Sequence, residues 1–142
     1  MDPTTLIRRI FDDVVNQRNL DAVDELFAED FVDHGPTGDL NGREAFRAFV
    51  GVWLSAFSDL HCEVSHIAVD GDLAAWLVHT TGTHTGDSLG FPATGRSIDT
   101  LSANIGRLRD GRAVEHWSEQ GMFPMLQQLG IIPAMTPPVA AS

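Results

Sequence analysis

Ser97-Ile-Asp-Thr-Leu-Ser-Ala-Asn-Ile-Gly-Arg-Leu-Arg-Asp-Gly-Arg-Ala-Val-Glu-His-Trp-Ser-Glu-Gln120 reads as two extended segments folded back on each other. Ser97 to Arg109 and Ala113 to Gln120 carry strand-favouring Ile, Leu, Val, Thr and Trp, and Asp110-Gly111 between them suits the positive backbone angles of a tight hairpin turn. Upstream, His61 to Val69 and Leu73 to Thr85 repeat the pattern around Asp70-Gly71. This half of the chain is therefore expected to form an antiparallel meander.

Before residue 59 the periodicity is helical. Leu6, Ile7, Ile10, Phe11, Val14 and Val15 recur behind Asp2-Pro3, an acidic cap followed by a residue that favours the first turn. Asn19-Leu20-Asp21 restarts a shorter helix through Ala22, Val23, Leu26 and Phe27, which leads into Asp30 to His34 and the loop His34-Gly-Pro-Thr-Gly38. Asn41-Gly-Arg-Glu44 resembles a cap with a carboxylate three residues on, opening an amphipathic helix through Phe46, Phe49, Val50, Trp53, Leu54 and Phe57. Met122 to Leu129 is expected as a short final helix, with Pro124 tolerated in its first turn. Helices first and strands afterwards predict a single α+β domain over 1–132, followed by a flexible Pro-rich tail over 133–142.

Composition narrows the function classes. Nine Lys and Arg against twenty Asp and Glu give a formal charge of -11, a field that repels phosphate backbones and anionic lipid, so neither nucleic acid nor a membrane is expected as a partner. Cys62 is the single cysteine, which excludes an internal disulfide and a multi-cysteine zinc site. With no basic-then-apolar leader at Met1-Asp-Pro-Thr-Thr and no long apolar run, a cytoplasmic location is expected. The six histidines lack ligand spacing: His61 and His66, like His79 and His84, lie five apart on one strand and so face opposite sides. No metal and no cofactor is expected. The chain has no tyrosine, so a phenol cannot serve as an enolate donor.

Gly82-Thr-His-Thr-Gly86, Pro92-Ala-Thr-Gly-Arg96, Asp110-Gly-Arg-Ala-Val-Glu-His-Trp117 and Met125-Leu-Gln-Gln-Leu-Gly130 resemble, in order and spacing, the SnoaL-like polyketide cyclases and their ester-cyclase relatives of the nuclear transport factor 2-like superfamily. Asp30-Phe-Val-Asp-His34, Gly42-Arg-Glu-Ala-Phe46 and Ala56-Phe-Ser-Asp-Leu60 extend the resemblance over residues 5 to 130. It implies a curved antiparallel sheet wrapped around helices as a cone-shaped barrel with an internal pocket, and a homodimer formed through the sheet. It also implies cofactor-free acid and base chemistry on a small hydrophobic, aromatic or polyketide-like carbonyl compound, typified by intramolecular aldol closure.

The family's acid usually sits four residues past the tryptophan of Glu-X-Trp, and here that position is Gly121. Glu119, on one strand face with Glu115 and Trp117, is the expected replacement, and His34 the expected partner in catalysis. His84, Asn104, Trp117 and Trp53 are the expected substrate contacts. Gly121 motivates one alternative, a non-catalytic or diverged ligand binder of the same fold, and a small epoxide or lactone hydrolase, which needs a water held by a carboxylate and a polar partner, is another.

Overall fold

A computed structural model describes residues 1–135, and the tail expected at 133–142 falls mostly outside them. Helix α1 spans Pro3–Arg9, and its Asp2 cap accepts a hydrogen bond from the Thr5 N–H at 2.8 Å. The helix does not stop at Arg9. It widens into a π-helical segment over Ile10–Asn16, a rare form that often marks functional surfaces. The short helix after Asn19 is a 3₁₀ turn, Leu20–Ala22, running into α2, Val23–Leu26. Strands β1, Phe27–Gly35, and β2, Gly38–Asn41, form a hairpin where the sequence showed only a segment and a loop. Helix α3 spans Arg43–Ala56, with its last carbonyls met by Arg18, whose guanidinium donates to Leu54 O at 3.0 Å and Phe57 O at 2.9 Å.

Strands β3, His61–Asp70, β4, Leu73–Thr83, β5, Ser97–Arg109, and β6, Arg112–Glu119, follow the expected meander, and α4 is Met122–Gln128. At the β5–β6 turn Asp110 and Gly111 have φ of 56° and 74°, the two positive angles the Asp-Gly pair was expected to supply. All six strands join one sheet in the order β2-β1-β6-β5-β4-β3, so β2 and β3 are free edges and the cone is not closed. One pairing departs from the expected antiparallel sheet: β1 runs parallel to β6. The two are separated by α3 and the whole meander, which gives the chain length to return in the same direction.

The sheet curls over α1, the π segment and α3, and side chains from both layers build the core. Leu6, Ile7, Val23, Leu26, Phe31 and Phe57 are essentially inaccessible to solvent. Complete burial of each such side chain favours folding by about 1.5–3 kcal/mol. Phe27, Phe31 and Phe46 pack with ring centroids 4.9 to 5.1 Å apart, binding β1 to α3.

Candidate functional site

Between the helices and the inner sheet face lies a cavity of about 160 Å³. Its wall is mainly apolar: Phe11, Val14, Phe31, Phe46, Phe49 and Trp53 come from the helical layer and β1. From the sheet come Trp76 on β4, Asn104 on β5 and His116 on β6, the one histidine among the described residues that lines it. Strand periodicity sets this placement. The alternate residues Trp76 and Val78 of β4, and Asn104 and Ser102 of β5, all project inward.

His116 is held from three sides. Its Nδ1 shares a hydrogen bond with Asp33 Oδ1 at 2.6 Å, its Nε2 is hydrogen-bonded to Asn104 Oδ1 at 2.9 Å, and the indole of Trp76 stacks on it at 5.8 Å with the ring planes 19° apart. Asp33, on β1 beside His116 in the parallel register, is 1% exposed. Its second oxygen, Oδ2, has no hydrogen-bond partner among the described residues. The carboxylate therefore depends on His116 alone.

The direction of the protons follows from the next link. Asn104 Nδ2 donates to the Ser102 carbonyl at 3.4 Å and to Ser102 Oγ at 3.2 Å. A carbonyl only accepts, so the amide nitrogen faces Ser102 and the amide oxygen faces His116. With the amide oxygen facing the ring, Nε2–H is the donor to Asn104.

Trp76 reaches this stack because residue 106 is glycine: a Cβ there would lie 2.8 Å from the far edge of the indole. Phe11 closes against the other side of Trp76, edge to face, with centroids 6.4 Å apart. Glu115 also borders the cavity, but its carboxylate is engaged by the His34 Nε2–H at 2.7 Å and lies 3.6 Å from Arg107 Nε. Cys62 lines the wall as well, and burial pushes its thiol pKa above the usual value. Among the described residues no three His, Cys, Asp or Glu side chains converge as metal ligands would.

The residues singled out from sequence divide between two faces. Asn104 and Trp53 line the cavity. His34, Trp117 and Glu119 instead border a groove on the opposite face of the sheet, together with Leu77, Ala103 and Ile105. His34 stacks on Trp117 at 5.2 Å and also donates from Nδ1 to Asp39 Oδ1 at 2.9 Å. The Glu115 and Asp39 carboxylates together hold its pKa above the ordinary histidine value.

His84 is fully buried but stands away from the cavity wall, packed between Phe57 and Phe91 with centroids 5.4 and 5.3 Å away. Its Nδ1 accepts the Thr94 N–H at 3.0 Å, and its backbone pairs with Gly95 and Arg96, so it anchors the base of the loop over 85–96. Gly121 is not merely a position lacking an acid. It adopts φ 63° and ψ 31°, and a Cβ there would sit 3.0 Å from the Leu101 carbonyl oxygen.

His116 and Asp33 were not among the expected site residues. Their signal was present in the alternation itself: His116 is one residue out of step with Glu115, Trp117 and Glu119, as Asp33 is with His34, so both belong to the opposite face.

A curved α+β sheet folded over helices, with an apolar cavity and a small buried polar chain on its inner wall, is a fold of the nuclear transport factor 2-like kind. The SnoaL-like polyketide cyclase model matches residues 5–129, and the chain belongs to that family. Aklanonic acid methyl ester cyclase DauD of Streptomyces sp. strain C5 is 30% identical over 132 residues, covering 88% of this chain and 80% of the relative. The corresponding cyclase DnrD of Streptomyces peucetius is 33% identical over 101 residues, covering 70% and 68%. Among solved structures, IdmH from Streptomyces antibioticus is 33% identical with a TM-score of 0.80, covering 92% of this chain and 99% of that one. No helix among the described residues is long and apolar enough to cross a membrane.

Proposed function

We propose that this chain is a cofactor-independent enzyme of carbonyl chemistry, closing a ring by an intramolecular aldol-type step on a small polyketide-like compound, with His116 moving the proton. The observation that carries this reading is the Asp33–His116–Asn104 chain, a buried acid–base pair opening onto an otherwise apolar cavity. Once Nε2 has released its hydrogen to solvent and Asn104 has turned aside, its lone pair removes a proton from a carbon flanked by carbonyls. The enolate carbon attacks the second carbonyl carbon, a carbon–carbon bond forms, and the resulting alkoxide takes the proton back from Nε2. Asp33 holds Nδ1–H and stabilises the charged ring that exists between the two transfers. The names of the relatives DauD and DnrD, aklanonic acid methyl ester cyclases, support an ester-bearing substrate.

This assignment moves the acid–base role from Glu119 and His34 to the inner face, where the cavity is. It is tested without knowing the substrate by following deuterium exchange at the α-carbon of a simple β-keto ester in D₂O. The protein should accelerate exchange, and His116→Gln should remove about 10²-fold or more of that acceleration while leaving the fold intact. Exchange equal to buffer alone in the parent protein refutes the reading.

A second reading, ligand binding without turnover, is favoured by one observation. The backbone at Gly121 is in a left-handed conformation with a carbonyl oxygen against the place of a Cβ, so the position itself is built to exclude a side chain. Saturable binding of the keto ester with no exchange is the result that selects it.

A further inference from the structure

We infer that Asn16 is the latch of the cavity: it ties the π-helical segment Ile10–Asn16 to the edge strand β3 and so fixes that segment as one lip of the cavity mouth. The inference concerns access, and it holds whether the cavity turns its ligand over or only binds it.

The winding of the segment decides where Asn16 points. Ile10, Phe11, Val14 and Val15 all line the cavity. In an α-helix, at about 100° per residue, Asn16 would lie about 170° from the centre of the face those side chains share, directly away from the cavity. The wider i→i+5 winding advances each residue by only about 82° and brings Asn16 to about 105° from that centre. The wider turn is seen in the bond from the Gln17 N–H to the Asp12 carbonyl at 2.9 Å. Asn16 then stands on the flank beside β3. Its Nδ2 donates to the Cys62 carbonyl at 2.8 Å, and its Oδ1 accepts the Cys62 N–H at 2.8 Å. The amide pairs with Cys62 as a residue of a neighbouring strand would, on an edge that no strand covers. Among the described residues these are the only hydrogen bonds between the π segment and the sheet.

Exposure locates the mouth. On the helical side, the lining residues that solvent still reaches are Phe11 and Val15 of the π segment and Phe46, Phe49 and Trp53 of α3. Ile10, Val14 and Val50 behind them are buried. The opening on this side therefore runs between the two elements. The π lip is held at its far end by Arg18, bound to the last carbonyls of α3, and against the sheet by Asn16. Apolar contact, such as that of Phe11 on Trp76, is non-directional and lets a segment slide, whereas two opposed hydrogen bonds fix its distance and its register.

Cys62 makes access measurable. Its side chain lines the cavity, is 7% exposed and belongs to the residue whose backbone Asn16 holds. A reagent reaches the thiol when the lip moves or when the protein unfolds. Losing two hydrogen bonds shifts a local opening equilibrium by about tenfold or more. The probe is iodoacetamide at saturating concentration, and in each protein the alkylation rate of Cys62 is divided by the unfolding rate of that same protein from urea kinetics. In the parent the ratio should be near one. In Asn16→Ala it should rise by at least about tenfold. Asn16→Asp keeps the acceptor for the Cys62 N–H and loses the donor to its carbonyl, so its ratio should fall between the two. The Trp76 indole N–H signal in NMR should move in the same order, because Phe11 packs on that ring. A general loss of stability speeds unfolding and alkylation together and leaves the ratio alone. Ratios that stay within about threefold of one in both variants reduce Asn16 to a stability contact and overturn the inference. A parent ratio as high as that of Asn16→Ala overturns it too, since the lip then opens without release of Asn16. Neither result bears on the α-carbon exchange assay, by which the carbonyl reading stands or falls separately.

Discussion

Replacing His116 with leucine would strand Asp33. That carboxylate is 1% exposed, makes its one side-chain hydrogen bond to His116 Nδ1, and keeps Oδ2 unpartnered among the described residues. Breaking a buried pair from one side costs about 3–5 kcal/mol, because the survivor is left without compensation. Removing both partners in favour of packed apolar side chains is often neutral or better. The thermodynamic cycle of His116→Leu, Asp33→Leu and the double variant should thus show a coupling of at least about 2 kcal/mol, with the double variant more stable than His116→Leu alone. Equilibrium urea unfolding followed by tryptophan fluorescence measures each corner. Since whole domains are stable by about 5–15 kcal/mol, the single variants should fold with clearly lowered midpoints. Stability losses that add to within about 0.5 kcal/mol would refute the pairing.

Gly121→Asp, the substitution that restores the family's usual acid, should cost about 1–2 kcal/mol for the left-handed backbone alone and more for the contact with Leu101 O, and should not raise the exchange rate; a rise in rate at unchanged stability contradicts this. Gly106→Ala should push Trp76 off His116, seen as a changed His116 ring environment by NMR together with a lower urea midpoint. His34 gives a pH signature on the outer face. Its pKa is raised by Glu115 and Asp39, so its contribution to stability is complete below the unfolded value of about 6.5 and is lost as pH rises through the folded value. His34→Gln should flatten that part of the stability profile, and an unchanged profile counts against the ion pairs. Cys62, buried and with its thiol pKa raised, should resist alkylation by iodoacetamide at pH 8 and react at the rate of unfolding; immediate modification would contradict its burial.

The elements were legible because each carries a local signal. The extents expected for β3 to β6 fall within a few residues of those observed, since Asp-Gly turns and strand-forming runs are properties of short windows. The hairpin of β1 and β2 was not legible: Asp30 to His34 is short and acidic, and its strand conformation depends on pairing with β6, eighty or more residues away. The face of β6 was the harder question. Glu115, Trp117 and Glu119 were read as the pocket side, but a single step along a strand reverses every side chain. The register between β5 and β6 also shifts between Arg107 and Leu108, so counting from the apolar Ala113 across the irregularity misassigns the face. Asn104 and Trp53, which line the cavity, each stood out for a reason independent of register: a polar group among apolar strand neighbours, and an aromatic on the apolar face of a long helix.

The most direct measurement is the α-carbon exchange assay run on four variants side by side: His116→Gln and Asp33→Asn on the inner face, His34→Gln and Glu119→Gln on the outer. The inner pair should lose about 10²-fold or more of the exchange rate, while the outer pair keeps it to within about threefold. Full activity in the inner variants with loss in the outer ones would place the chemistry in the groove behind the sheet and contradict the site described here.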